Sequence, residues 1–338
     1  MTQGWETRFA APEASSTWPE GDPPHRIERF EAPASSGDVV GISVHHFASD
    51  LPGPRMVILG GTHGDEVTGI LAAGTLARRG LRLRSGSVDI VPTAHEAAAS
   101  VASRTSPSDD GNLARTFPGR ADGEPTEVVA HLLTTHVLSG ADLLIDLHTA
   151  GRVSDMPFLV GHATPRPDDP VDRRACAKAF GAPFVWEHPE IAPGRTLSVV
   201  EDGGGVGLYT ESAGGERLRP AMVAAYVTGV YRVLAHLGMI QPVAPADTGT
   251  PIRLHGDGDV DEAGLDTVAA GYFMPAVDAG DTVAAGDVLG VLVDATGVIV
   301  QTIASPSTGA VALIRTAAHI GSCERVAVVT ALHSEVHS

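Results

Sequence analysis

The sequence contains few cysteines and almost no lysine, and both shortages narrow the chemistry it can support. Cys176 and Cys323 lie far apart without paired spacing, which argues against a disulfide framework and against a cysteine-based zinc site. Lys178 is the only lysine. A cofactor that must be attached covalently to a lysine therefore has no attachment point in the C-terminal part of the chain.

Long apolar runs and an excess of positive charge are missing as well. No run approaches the ~20 apolar residues that a membrane-spanning helix needs, and the N-terminus lacks a basic region followed by an apolar stretch. The formal net charge is -18, which opposes binding to the phosphates of nucleic acid. We therefore expect a cytoplasmic protein that binds neither membranes nor nucleic acid.

The composition, 43% hydrophobic and 19% charged over 338 residues, is that of a globular chain long enough for two domains. Residues 1–25 lack periodicity and predict an N-terminal arm lying on the surface of a first domain, residues 1–245. After a proline-containing linker, residues 246–338 consist of short apolar stretches separated by Gly and Asp. This texture is typical of a small all-β domain.

Hydrophobic periodicity in the first domain predicts an α/β fold. Alternating stretches at 26–30 and 39–44 predict a hairpin at a sheet edge, and residues 92–119 and 188–207 predict mostly loop. Between them, helical patterns (67–79, 125–138, 172–180 and 221–237) alternate with strand patterns (56–59, 87–91, 142–147 and 208–211). The alternation predicts a mostly parallel mixed sheet flanked by helices.

Metal-ligand residue types follow two of the predicted strands. His63 and Glu66 lie in the sequence GGTHGDE that follows the first buried run, and His148 ends the run 141–147. Ligands of open α/β sheets bind outside the carboxyl ends of the strands, so these side chains are expected to meet. Two imidazoles and one carboxylate, with one position left for water, are typical of catalytic zinc. The sequence therefore predicts one zinc ion per chain.

Each of these residues also has an ordinary structural explanation. Glu66 could cap the helix that follows it, and His148 could be a hydrogen-bonded core histidine. Glu211, at the end of the predicted strand 208–211, could pair with an arginine. Asp65 and Asp146, which are adjacent to the proposed ligands, could orient an imidazole, although Asp65 could equally cap the turn. The structural explanations for Glu66, His148 and Glu211 would all have to hold at once to remove the predicted site.

The loop after the strand 87–91 contributes a second set of polar residues, Arg104, Asn112 and Arg115. A guanidinium fork beside a metal suits a substrate carboxylate or a developing oxyanion, because it binds two oxygens at once. Arg104 and Arg115 are therefore candidates for stabilising the oxyanion or holding the substrate, and Asn112 is a further candidate for substrate binding.

Four motifs together resemble the succinylglutamate desuccinylase/aspartoacylase family of the zinc carboxypeptidase superfamily, over roughly residues 50–240. They are GGTHGDE (60–66), NLARTFPG (112–119), DLH (146–148) and YTE (209–211). The resemblance implies that His63, Glu66 and His148 bind zinc, that Arg115 binds substrate, and that Glu211 activates the water molecule. It departs from the family at Ala114, where an Asn usually precedes the Arg. The departure argues against a plain N-acyl-α-amino acid as the substrate.

The C-terminal region has a resemblance of its own. Residues 271–275 and 280–290 look like the barrel-sandwich fold of biotinyl and lipoyl carriers, but those carriers need a modified lysine, and Lys178 lies in the other domain. The carrier function is therefore excluded. In relatives of the enzyme such a domain covers the active-site mouth or mediates assembly, which the resemblance implies here as well.

These observations favour a zinc-dependent amidohydrolase that removes the acyl group from a small N-acylated amino acid or amine, with a substrate that carries a carboxylate. One alternative is a zinc carboxypeptidase that acts on peptides. Another is a non-catalytic binding protein that keeps the metal, although such a protein would have no use for the base Glu211. The sequence is compatible with a homo-oligomer.

Overall fold

The structure is a computed structural model that describes residues 25–215, 217–245, 249–256 and 264–332. The predicted N-terminal arm falls almost wholly outside these residues. Within the described ranges, none of the helices combines the length and the apolar character needed to cross a bilayer.

The helices and the strands alternate through the first part of the chain. The helices are α1 (Val67–Arg79), α2 (Glu96–Ser100), α3 (Pro125–Leu133), α4 (Arg173–Phe180), α5 (Thr196–Asp202) and α6 (Pro220–His236). The strands of this part are β1 (His25–Pro33), β2 (Val39–Ala48), β3 (Arg55–Gly60), β4 (Ser87–Val91), β5 (Leu143–Leu147), β6 (Ser154–Asp155), β7 (Leu159–Ala163), β8 (Phe184–His188) and β9 (Val206–Glu211).

The predicted α/β fold is confirmed by one large sheet whose strand order begins β1-β2-β4-β3-β5-β9-β7-β8. Strands β4, β3, β5 and β9 run parallel to one another, and β7 is antiparallel to β9. The carboxyl ends of β3, β5 and β9 therefore lie at the same sheet edge. The antiparallel β1–β2 hairpin closes the sheet at its end, as predicted.

Helices cover both faces of this sheet because each contributes an apolar side. Helices α1, α4 and α6 pack on one face around the buried residues Leu76, Phe180 and Tyr226. Helices α3 and α5 pack on the other face, where Val128 and Leu197 are buried. The sheet is thus held rigidly from two sides, and its strand ends form a firm support for a site.

In residues 249–256 and 264–332 the regular elements are all strands, and these strands pair antiparallel with one another. The strands are β10 (Ile252–His255), β11 (Leu265–Asp266), β12 (Gly271–Pro275), β13 (Thr282–Val283), β14 (Val288–Val293), β15 (Ile299–Ala304), β16 (Gly309–Arg315), β17 (His319–Ile320) and β18 (Arg325–Leu332). Strands β15, β14, β12 and β17 form a separate sheet.

The two parts of the chain share hydrogen-bonded strands. β10 pairs in parallel with β8 and antiparallel with β18, so the large sheet continues into the C-terminal strands. The short strand β6, which follows β5 and His148 in the chain, pairs with β16. The domain boundary between residues 245 and 246 stays a prediction. Strands on the two sides of this boundary are hydrogen-bonded to each other, β8 with β10 and β6 with β16.

Two segments that were predicted to be mostly loop contain short helices, and one predicted helix is shorter than expected. The segment 92–119 contains α2 and a 3₁₀ turn, Leu113–Arg115, and the segment 188–207 contains α5. The helix expected over 125–138 is α-helical only to Leu133 and ends in a π-helical turn, Thr134–Leu138. The short helices α2 and α5 have too few turns for a periodic pattern to stand out, and neighbouring elements supply their packing.

Candidate metal and catalytic site

Glycines shape the turn between β3 and α1 that carries His63 and Glu66. Gly61 has a φ of +68°, which favours glycine, and a side chain at Gly64 would meet the backbone of Ala98 at 2.1 Å. Glu66 occupies the position before the first helical residue, but its side chain makes no capping hydrogen bond. The carboxylate is thus free of the helix end and points to the histidines.

His63, Glu66 and His148 form one compact cluster. Glu66 Oε1 lies 2.7 Å from His63 Nδ1, and Glu66 Oε2 lies 2.9 Å from His148 Nδ1. One ligand atom from each residue falls within 4.8 Å of the other two. Two imidazole nitrogens and a carboxylate, all directed to one point, are a donor set that fits a divalent transition-metal ion. The structure therefore brings together the three residues predicted as ligands.

The outer nitrogen of His148 is held by a buried carboxylate. His148 Nε2 lies 3.0 Å from Asp146 Oδ2, and Asp146 also accepts hydrogen bonds from Thr62 Oγ1 (2.9 Å) and Thr196 Oγ1 (2.6 Å). A carboxylate on the outer nitrogen fixes the imidazole's orientation and tautomer. Asp146 therefore occupies the orienting position considered from the sequence, whereas Thr62 and Thr196 gave no sequence signal.

Mutual attraction sets the charges of the cluster. Burial opposes ionisation of Glu66, but His63 and His148 hold its pKa well below the ordinary value. Burial likewise opposes the imidazolium of His148, but Asp146 and Glu66 raise its pKa well above the ordinary value. Burial lowers the pKa of His63, and the nearby carboxylate only partly offsets that effect. The cluster is therefore a strongly polar site within a buried setting.

Glu211, the last residue of β9, is half-buried beside the cluster. Its Oε2 atom has no hydrogen-bond partner among the described residues. Burial, together with the negative charge of Glu66, raises the pKa of Glu211 to about 8. A carboxyl group with a pKa near neutrality and a vacant oxygen can take up and release a proton under physiological conditions.

The three residues of the loop after β4 take different positions. Arg104 Nη1 lies 3.3 Å from His63 Nδ1 and 3.4 Å from Glu66 Oε1. Asn112 Oδ1 lies 3.1 Å from His63 Nε2 and accepts a hydrogen bond from the backbone of Ala114, so this amide supports the cluster from outside. Arg115 donates from Nη1 to the Ala114 carbonyl and lines the cavity.

A cavity of about 840 Å³ opens above the cluster. Its walls include residues of the C-terminal strands, among them Leu313 on β16 and Arg325 on β18. Its arginines, in a chain of strongly negative net charge, are Arg104, Arg115, Arg152, Arg195, Arg315 and Arg325. The volume suits a small molecule. Arg315 pairs with Glu324 and Arg325 with Asp266, so not every guanidinium of the wall can serve a ligand.

Sequence reasoning missed one pair in this cavity, Tyr209 and His188. The Tyr209 hydroxyl lies 2.7 Å from His188 Nε2, and both residues line the cavity. Tyr209 precedes Glu211 by two residues on β9, so strand alternation places both side chains on one face. That alternation was a usable signal for Tyr209, whereas nothing in the spacing of His188 indicated its partner.

A helix-flanked mixed sheet with a His-Glu-His cluster at its strand ends defines an α/β protein with a candidate metal site. Residues 52–237 match the succinylglutamate desuccinylase/aspartoacylase catalytic domain. This match spans more than half of the chain, and the chain belongs to that family. The resemblance inferred from four short motifs is thereby confirmed.

Named relatives agree with this assignment. The chain is 38% identical over 195 residues to N-alpha-acetyl-L-2,4-diaminobutyric acid deacetylase of Halomonas elongata. The matched region covers 56% of each protein. The chain thus spans about half the length of this curated relative.

Solved structures match over nearly the whole chain. The product-bound ectoine utilization protein EutE (DoeB) from Ruegeria pomeroyi is 29% identical, with a TM-score of 0.79 and coverage of 94% of this chain and 97% of that one. The succinylglutamatedesuccinylase/aspartoacylase from Rhodobacter sphaeroides is 27% identical, with a TM-score of 0.80 and coverage of 95% and 99%. The family fold therefore includes the C-terminal strands.

Proposed function

We propose that this protein is a zinc-dependent amide hydrolase that removes the acyl group from a small N-acylated amino acid or amine. The observation that carries the proposal is a half-buried carboxyl group, Glu211, with a vacant buried oxygen and a pKa of about 8 beside a compact His-Glu-His cluster. Neither a structural ion pair nor a helix cap would need this combination.

His63, Glu66 and His148 are the residues proposed to hold one zinc ion per chain. When bound, zinc would act as a Lewis acid and lower the pKa of water. Asp146 and Asn112 hold the outer nitrogens of the two imidazoles and keep Nδ1 of each directed to the shared point. This outer support keeps the donor atoms in position before any ion binds.

Glu211 is proposed to be the general base and then the general acid. With its vacant Oε2 it accepts the proton of the attacking water, and it returns that proton to the nitrogen of the leaving amine. Its setting favours both steps, because a raised pKa makes the Glu211 carboxylate a stronger base towards water, while the protonated group is still more acidic than an ordinary alkylammonium ion and can give its proton to the amine. A protein that only binds ligands would gain nothing from such a group.

Arg104 and Arg115 are proposed to divide two tasks. Arg104 reaches the cluster itself, so it is placed to stabilise negative charge that develops on the carbonyl oxygen. Arg115 lines the cavity at the 3₁₀ turn and is proposed to bind the carboxylate of the substrate. Asn112 is engaged by His63 and by the Ala114 backbone, which favours a supporting role over direct substrate binding.

The cavity favours a small substrate over a peptide. Leu313, Arg315, Glu324 and Arg325 of the C-terminal strands form part of its wall. We propose that residues 246–338 act as a separate domain that covers the catalytic domain, residues 1–245, and limits the size of the substrate. This arrangement disfavours the carboxypeptidase alternative.

N-acetylated diamino acids are the first compounds to test, because the Halomonas elongata relative is named as an N-alpha-acetyl-L-2,4-diaminobutyric acid deacetylase. Zinc-loaded protein would be assayed for amine release from N-acetyl, N-succinyl and N-formyl amino acids and diamines. A series of short peptides, assayed for release of the C-terminal residue, is the control for carboxypeptidase activity. Turnover of an N-acyl compound that chelation abolishes is expected. Turnover of peptides alone, or of nothing in the panel by zinc-loaded protein, would overturn the proposal.

A further inference from the structure

Tyr209 and His188 form an ordered polar pair in the wall of the cavity, apart from the His-Glu-His cluster. The Tyr209 hydroxyl lies 2.7 Å from His188 Nε2, and the two rings stack with centroids 5.7 Å apart. On its other side, His188 Nδ1 lies 3.1 Å from the carbonyl oxygen of Gly256. The pair therefore links the cavity to the chain just beyond β10.

The partners on each side define the direction of these hydrogen bonds. A carbonyl oxygen can only accept, so His188 Nδ1 carries a hydrogen and donates it to Gly256. When His188 is neutral, its other nitrogen, Nε2, is an acceptor, and in that state the Tyr209 hydroxyl donates to it. The phenol hydrogen is thus committed to His188. What the Tyr209 oxygen still offers is its capacity to accept a hydrogen bond.

The backbone makes specific room for this tyrosine. On the neighbouring strand β7, Gly161 is the register partner of Tyr209, and a side chain at Gly161 would overlap the Tyr209 ring at 2.0 Å. The ring therefore occupies the space that a side chain at position 161 would need, and only glycine leaves that space open. Burial and the negative charge of Glu211 raise the pKa of Tyr209 well above its ordinary value, so the phenol stays neutral.

The spacing along β9 indicates what the oxygen meets. Tyr209 and Glu211 are two residues apart on one strand face, which separates their α-carbons by about 6.6 Å. If Glu211 serves the nitrogen of the scissile amide, a group that reaches Tyr209 must be several bonds away from that nitrogen. The side-chain ammonium of a diamino acid meets this requirement and supplies only donors, which matches an oxygen that can only accept.

We propose that Tyr209 is a specificity-determining residue that accepts a hydrogen bond from the side-chain ammonium of an N-acylated diamino acid. His188 is a positioning residue, because it fixes the phenol hydrogen and so leaves the oxygen lone pair for the substrate. The inference rests on the proposed amide hydrolase function and adds to it the part of the substrate that Tyr209 recognises.

The test compares two substrates that differ only in the second amine, Nα-acetyl-2,4-diaminobutyrate and Nα-acetyl-2-aminobutyrate. Tyr209→Phe removes one oxygen and keeps the ring. It is expected to raise KM for the diamino compound about 10-fold or more, as for loss of a hydrogen bond to a charged group, and to change KM for the monoamine compound less than 2-fold. Tyr231→Phe, at a tyrosine packed against the main core outside the cavity, is the matched control.

His188 is tested by rescue. His188→Leu removes the acceptor for the phenol hydrogen and should lose most of the discrimination between the two substrates. His188→Gln retains an acceptor oxygen and should recover part of it. In the Tyr209→Phe background, His188→Leu should cause little further loss of discrimination, because the two residues act as one unit. Equal effects of Tyr209→Phe on both substrates, or an effect on neither, would overturn the proposal.

Binding separates this proposal from the function on which it rests. If zinc-loaded wild-type protein hydrolyses no N-acyl compound of the panel, the proposed function fails, and calorimetry with free 2,4-diaminobutyrate and 2-aminobutyrate still tests Tyr209. Tighter binding of the diamine, lost in Tyr209→Phe but kept in Tyr231→Phe, supports the assignment. Absence of such a preference in the wild-type protein rejects it. An unchanged thermal midpoint of each variant shows that its fold is intact.

Discussion

Glu66 Oε2 lies 2.9 Å from His148 Nδ1, although the two residues are 82 positions apart in the chain. Glu66 ends the turn after β3, and His148 directly follows β5, the parallel neighbour of β3. The backbone amide of Thr149 donates to the same Glu66 oxygen at 3.0 Å. Strand pairing, rather than local sequence, therefore creates this contact.

The first prediction concerns the metal. Zinc-loaded protein should contain about one zinc ion per chain by elemental analysis, because three protein donors and one open position complete a tetrahedron. His148→Ala should lose the ion and the activity. The exposed His236, at the end of α6, provides the matched control His236→Ala, which should keep both. Stoichiometric zinc in His148→Ala would remove His148 from the ligand set.

The second prediction concerns the base. Glu211→Gln keeps the size of the side chain and removes its ability to accept a proton, so kcat should fall about 100-fold or more while zinc content and KM change little. Glu31→Gln, at an exposed position on the edge strand β1, should leave kcat unchanged. If Glu211→Gln turned over at the wild-type rate with zinc bound, another group would have to be the base.

The third prediction is a pH dependence of stability in the metal-free protein. The folded-state pKa of Glu211, about 8, exceeds the ordinary value of 4.5, so folding favours the protonated form. The stability from Glu211 is fully present below its unfolded pKa and is lost as the pH rises towards 8. Urea unfolding in chelator should therefore show Glu211→Gln gaining stability over wild type between about pH 5 and pH 8. A constant difference across this range would contradict the shift.

The fourth prediction concerns Arg115, which lines the cavity. Arg115→Lys keeps the charge and removes the planar fork, so it should raise KM for carboxylate-bearing substrates about 10-fold and affect kcat less. The same change should matter little for an N-acylated amine that lacks a carboxylate. Equal changes for both substrate types would show that Arg115 does not bind the carboxylate.

The fifth prediction concerns the support of the fold. The Arg173 side chain is fully buried on α4, where Nη1 donates to Glu201 Oε1 at 3.0 Å and Nε donates to Asp169 Oδ2 at 2.5 Å. Arg173→Met would leave both carboxylates without this partner and should lower the unfolding free energy by about 3–5 kcal/mol. Lys178→Met, the same type of change at an exposed position of α4, should cost less than about 0.5 kcal/mol. Chemical denaturation of both variants would measure the difference.

The sequence by itself determined the elements that carry the cluster. The buried runs that became β3 and β5, the glycine-rich turn with His63 and Glu66, and the position of His148 at a strand end all follow from local pattern and turn chemistry. Because carboxyl ends of parallel strands share one sheet edge, that pattern was enough to expect the three residues together. The alternation of strand and helix likewise determined the α/β class.

Only the tertiary structure decided the surroundings of these residues. The contact between Tyr209 and His188, the hydroxyls of Thr62 and Thr196 on Asp146, and the share of the C-terminal strands in the cavity wall join segments that are distant in the chain. Likewise, the pKa of Glu211 depends on burial and on the charge of Glu66, not on its neighbours in sequence. The physical reason is that the hydrogen-bond partners and the desolvation of a side chain depend on the groups that the packed sheet and helices bring within a few ångströms of it. Periodicity in the sequence specifies the face on which a residue lies, but not the residues that it contacts there.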